Sequence, residues 1–212
     1  MYINKLSISE DDVQNAFDNF VKGSHYEENE YLLKDIIGDE CYKNNSDYRI
    51  VALKLGLIDT LYSTNLNKDM ATTSVTTIAQ IIADPKYKFD ERIYNGDISL
   101  AQDIVNDLRF KRNNFSLISK YCKIHEYFQS NTDCFVIYDS VVAENLYCYL
   151  PYYKSIKITS HTPKNMCMDK RNYILWCDFI NQVIHDNNLN EICKIRRKLD
   201  WFIWGVHNTK LD

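Results

Sequence analysis

Two residues of this chain combine a side-chain type and a setting from which covalent chemistry can be built: Lys120 and Asp139. At about 100° per residue, Phe115, Ile118, Cys122, His125 and Phe128 form the core face of a helix over 115–128. Lys120 lies nearly opposite that face, yet Leu117 stands three residues before it and Ile124 four after it. A helix apolar on two sides suits a wedge between two lobes, with Lys120 looking into the seam. Desolvation there lowers a lysine's pKa and frees the amine lone pair to attack an electrophilic carbon. The same spacing describes, more commonly, a lysine that snorkels to solvent past two flanking hydrophobes.

Asp139 follows a short extended apolar run, Cys134-Phe135-Val136-Ile137-Tyr138, and opens the next helix. Its carboxylate can accept the N–H groups of that first turn, a cap that contributes about 1 kcal/mol. A carboxylate held at a helix N-terminus is also stabilised as the anion. That suits a group meant to steady a developing cation or to take a proton from an amine. By pattern alone, a plain cap is the commoner role.

The pair says more than either member. Ser119-Lys120-Tyr121-Cys122-Lys123-Ile124-His125 and Phe135-Val136-Ile137-Tyr138-Asp139-Ser140 resemble two words of the helix-hairpin-helix DNA glycosylases, in particular the 8-oxoguanine glycosylase-like branch. There a catalytic lysine opens one helix and an aspartate, after a short extended segment, opens another at a similar remove; here nineteen residues separate them. Leu57-Ile58-Asp59-Thr60-Leu61-Tyr62-Ser63-Thr64-Asn65 falls where that superfamily places an early cleft-lining helix end. Asp200-Trp201-Phe202-Ile203-Trp204 resembles its closing helix. The resemblance implies base-excision glycosylase and AP-lyase activity on a damaged base, an oxidised purine being one such lesion. The nucleotide is flipped from double-stranded DNA into an interlobe cleft. Lys120 attacks the sugar through a Schiff base and Asp139 steadies the sugar cation, with no cofactor and no metal.

The family's glycine hairpin is missing. In its place stands Arg109-Phe110-Lys111-Arg112-Asn113-Asn114, basic but without glycine. If the resemblance holds, phosphate meets Arg109, Lys111, Arg112 and Asn114 and the N-terminus of helix 115–128 instead. Val136 and Val141 replace the family's proline and histidine around the aspartate. A non-catalytic module on the same fold, recognising a protein or nucleic acid, is the rival reading.

The elements that must position these residues are helices. Ser9-Glu10-Asp11-Asp12 reads as a capping box ahead of Val13, Ala16, Phe17, Phe20 and Val21 at helical spacing. Further helices are expected near 28–37, stopped by Gly38; over 47–62, apolar on nearly all sides; over 73–83, ended by Asp84-Pro85; and after Asp97, which can act as a cap. After 115–128 come a helix over 139–150 closed by Pro151, a polar loop over 151–168, and long helices near 169–186 and 190–205. The expectation is an all-α, glycosylase-like single domain over 1–212. It is two-lobed, with a cleft lined by helices 47–62, 115–128 and 139–150.

Composition agrees with that class. Five Gly and three Pro in 212 residues leave few turn-formers for a many-stranded sandwich or barrel. The net charge of −4 excludes a molecule-wide electrostatic glove for nucleic acid, so any DNA contact needs a local basic patch. Seven Cys without a C-x-x-C pair read as reduced, mostly buried thiols rather than a disulfide framework or metal site. No stretch reaches the roughly 18 apolar residues of a membrane span, and the start lacks a signal-peptide core; a cytoplasmic location is expected. Lys194-Ile195-Arg196-Arg197-Lys198 reads as a solvated helix face, His125 as a hydrogen-bonded core histidine, and Trp176, Trp201 and Trp204 as core.

Overall fold

A computed structural model of the chain describes residues 7–62, 64, 74–108, 115–139, 141–142 and 173–208. Every regular element among them is helical, so the fold is all-α. The chain divides into two compact units, Met1–Glu28 together with Val136–Asp212, and Asn29–Phe135.

In the first unit the capping box forms as the sequence suggests. Asp12 N–H donates to Ser9 Oγ at 3.2 Å and Ser9 N–H donates to Asp12 Oδ2 at 2.9 Å, opening α1 (Glu10–Ala16). A π-helical turn, Phe17–Val21, carries the chain on. The unit is completed by α8 (Tyr173–Asp186) and α9 (Ile195–Asn208), with α1 and the π-turn packed on α9. Gly205 permits that approach: a Cβ there would lie 2.5 Å from the Phe20 ring. α9 begins five residues later than its periodicity suggests. Residues 189–194 instead form a turn that buries Leu189 and takes Lys194 to φ 55°. Arg197 is a correction to the expected solvated face. It is buried, donates to Asp200 Oδ2 at 2.7 Å and stacks its guanidinium over Trp201.

The helix α2 (His25–Gly38) starts three residues before the expected point and keeps Gly38 as its last residue. Gly38 is not in the left-handed region, so it ends the helix without a glycine cap. The second unit then holds α3 (Tyr48–Tyr62), α4 (Val75–Ile82), a 3-10 turn at Pro85–Tyr87, α5 (Phe89–Tyr94), α6 (Ser99–Asp107) and α7 (Phe115–Gln129). Ser74 caps α4 through Thr77 N–H at 3.1 Å. Asp97 accepts the N–H of Ser99 at 3.1 Å and also receives Arg92 Nε at 2.7 Å, which ties the start of α6 to the end of α5. α5 and the 3-10 turn are too short to show a helical period in sequence. α3 packs on α4 and α7, and α5 and α6 also pack on α7. α7 is the axis of this unit, buried continuously from Leu117 to Glu126.

Of the expected helix over 139–150, Val141 and Val142 are helical, and 143–150 lie outside the described residues, as does the loop over 151–168. Among the described residues no helix is long and apolar enough to cross a membrane. Among the described residues five cysteines are free thiols: Cys122 and Cys177 are buried, but Cys41 and Cys193 are exposed, against the expectation of mostly buried thiols. Burial pushes the Cys177 thiol up to about 12, so it is inert at neutral pH.

Candidate functional site

Lys120 sits in the middle of α7 and does not snorkel. Its side chain is only 3% exposed, and Nζ donates to Ser116 Oγ at 3.2 Å, one turn back. Asp139 is buried in the other unit and caps as its position suggests, accepting Val142 N–H at 2.9 Å. Arg109, Lys111, Arg112 and Asn114 lie outside the described residues.

A polar network runs through the second unit beside Lys120. Tyr121 donates its hydroxyl to Asn45 Oδ1 at 2.6 Å, and Lys54 Nζ reaches the same oxygen at 3.1 Å. The Asn45 amide donates onward to Asp90 Oδ1 at 2.5 Å and to the Lys43 carbonyl at 3.3 Å, so all its bonding capacity is used. Lys54 Nζ also lies 3.2 Å from His125 Nε2, and His125 Nδ1 lies 2.7 Å from the Tyr121 carbonyl. A carbonyl only accepts, so Nδ1 carries the ring proton and Nε2 accepts from Lys54. Burial, and then the Lys54 charge, hold His125 well below the usual histidine range. Burial lowers Lys54 to about 8, against the pull of Asp90. Burial also pushes the Tyr121 phenol up, which keeps it a donor. The Phe89 ring packs edge-on against Tyr121 and His125, at 5.4 and 5.5 Å, and both of these are fully buried.

A second cluster occupies the other flank of α7. Glu126 is fully buried and receives the N–H of Cys134 at 2.6 Å, the N–H of Phe135 at 3.1 Å and Thr132 Oγ1 at 3.0 Å. Lys123, also fully buried, neutralises it at 2.9 Å and pairs with Asp133. A buried carboxylate is tolerable only with such compensation, since an isolated charge there costs several kcal/mol.

The extended run before Asp139 has no strand partner among the described residues. Side chains satisfy its backbone instead. Glu126 takes the first two N–H groups. The Tyr173 hydroxyl then serves Val136 twice, accepting its N–H at 3.2 Å and donating to its carbonyl at 2.9 Å. Trp176 Nε1 donates to the Ile137 carbonyl at 3.2 Å.

Lys120 and Asp139, singled out in sequence, are both buried, and His125 is the hydrogen-bonded core histidine expected. Sequence reasoning missed Asn45, Lys54, Lys123, Glu126 and Tyr173. Lys54 left a signal, because it stands within the run Ile50–Leu57 on a helix apolar nearly all round; a charge there has no solvent side. Asn45 left none, since its partners are distant in sequence. An open pocket of about 590 Å³ lies beside the network, lined by Lys43, Asn44, Asp90, Phe128 and Gln129 among others, but not by Lys120.

A family model described as HI_0787_N: N-terminal domain matches residues 12–131, more than half of the chain. The chain belongs to the HI_0787_N family. The matched stretch takes in Asn45, Lys54, Lys120, Tyr121, Lys123, His125 and Glu126 and stops eight residues short of Asp139. No curated protein and no solved structure matches the chain.

Proposed function

We propose that this protein is a DNA base-excision glycosylase with AP-lyase activity, with Lys120 as nucleophile and Asp139 as its supporting carboxylate. The observation that carries this reading is the buried Lys120 amine, withheld from water beside the Ser116 hydroxyl. A lysine amine held there can act as a nucleophile and form a Schiff base with a sugar carbon. The second support is the pair of sequence words around Lys120 and Asp139.

The reaction runs on a nucleotide extruded from the duplex. The Lys120 amine forms a bond to the sugar C1′ as the glycosidic bond breaks, and the base leaves with that electron pair and gains a proton. Asp139 steadies the positive charge developing on the sugar and takes the proton shed by the amine. Ring opening gives the protonated Schiff base. Loss of a C2′ proton then expels the 3′ phosphate, and water releases Lys120. Arg109, Lys111, Arg112 and Asn114 hold phosphate in this reading.

The rival is a non-catalytic interaction module on the same fold, favoured by the net charge of −4 and the missing glycine hairpin. Borohydride reduction on a duplex carrying an abasic site separates the two. The enzyme gives a covalent protein–DNA adduct in the wild type and none in Lys120→Gln. Binding of the duplex without an adduct supports the module, and neither binding nor adduct excludes DNA as the partner.

A further inference from the structure

We propose that the two buried polar clusters of α7 act together as a rotational clamp that positions the Lys120 amine, with Tyr121 and Glu126 as the positioning residues. The role assigned to Lys120 rests on the glycosylase reading; the clamp rests on geometry.

Viewed down α7 at about 100° per residue, Tyr121 and His125 lie about 100° and 140° to one side of Lys120. Lys123 and Glu126 lie about 60° and 120° to the other side. The first pair is held by Asn45 and Lys54, the second by residues 132–135. Turning the helix either way withdraws one set of buried groups from its partners. Interdigitated apolar packing also resists such rotation, and a buried hydrogen bond lost on one side adds the cost of a desolvated group left unsatisfied. The clusters also fix the helix along its axis, since the N–H groups of Cys134 and Phe135 meet one carboxylate. Ser116, about 40° from Lys120 and one turn back, then receives an amine whose direction is already set.

Stability alone is a weak reason to bury this many charged groups. Buried Lys54, Lys123 and Glu126 are expensive to desolvate, and well-packed apolar residues of similar volume commonly serve stability as well or better. What such groups supply is a single orientation, and a nucleophile that must approach one carbon atom needs that orientation.

Tyr121→Phe removes one hydroxyl and no ring volume, and Glu126→Gln removes one charge. On abasic duplex DNA, each variant should trap roughly 10- to 100-fold more slowly than wild type with unchanged duplex affinity. Trapping rates equal to wild type alongside a lowered melting temperature would overturn the clamp and leave a structural role only. If the wild type itself gives no adduct, the glycosylase reading falls. The clamp is then judged by reductive methylation with formaldehyde and borohydride, followed by peptide mapping of Lys120. Methylation should be slow in the wild type and roughly tenfold faster in either variant while circular dichroism shows a folded chain; equal rates overturn it.

Discussion

Lys54 gives the network a measurable pH signature. Its amine titrates near 8 in the folded chain, against an ordinary value of 10.5. Below pH 8 both folded and unfolded chains hold the proton, so Lys54 contributes no slope. Between 8 and 10.5 the unfolded chain binds more protons than the native one, and stability rises with pH. Urea melts at pH 8 and pH 10 should therefore show the wild type gaining stability relative to Lys54→Met across that interval; a constant difference would mean that Lys54 is not desolvated. His125 gives the opposite limb. It is held well below 6.5 in the folded chain, so stability is lost as pH falls below 6.5, where only the unfolded chain takes up the proton. Its ring proton resonance should stay at the neutral position from pH 5 to 8. A titration midpoint near 6.5 would show that the ring reaches water and that the Lys54 contact does not hold.

At the level of elements, the segment from Cys134 to Asp139 is extended without a strand partner among the described residues, and side chains from α7 and α8 bond its backbone. Tyr173 is the critical one, because its hydroxyl both accepts from and donates to Val136. Tyr173→Phe keeps the ring and leaves two buried backbone groups without that partner. A loss of about 1–3 kcal/mol in unfolding free energy is expected from chemical denaturation. A loss within experimental error would show that water reaches Val136. Two helix starts were readable, since Ser9 and Asp97 announce their helices through short-range hydrogen bonds that the local sequence determines; the Ser74 cap of α4 was not singled out. Gly38 also marks the end of its helix as expected, without a left-handed cap.

At the scale of the whole molecule, charge governs what DNA binding would look like. With a net charge of −4, any affinity must come from a local patch, and the glycosylase reading places it at Arg109, Lys111 and Arg112. Three phosphate contacts give a slope of roughly −3 in log affinity against log salt for an abasic-analogue duplex. Replacing those three residues by alanine should flatten the slope toward zero. An unchanged slope would move the DNA contact to another surface. The family match does not bear on this choice, because it groups the chain by sequence over residues 12–131 and describes no activity.

The sequence alone determined the helical class, because few glycines and prolines and a repeated period near 3.6 residues are local properties of the chain. It also singled out Lys120 and Asp139, whose neighbours in sequence carry the signal. Tertiary structure decided which charges are buried and what compensates them. Asn45 meets Tyr121, Lys54 meets His125 and Tyr173 meets Val136 across separations of 76, 71 and 37 residues. Periodicity reports which face of a helix is apolar, but the partner that makes a buried lysine or glutamate tolerable comes from elsewhere in the chain, and only the folded packing brings it there.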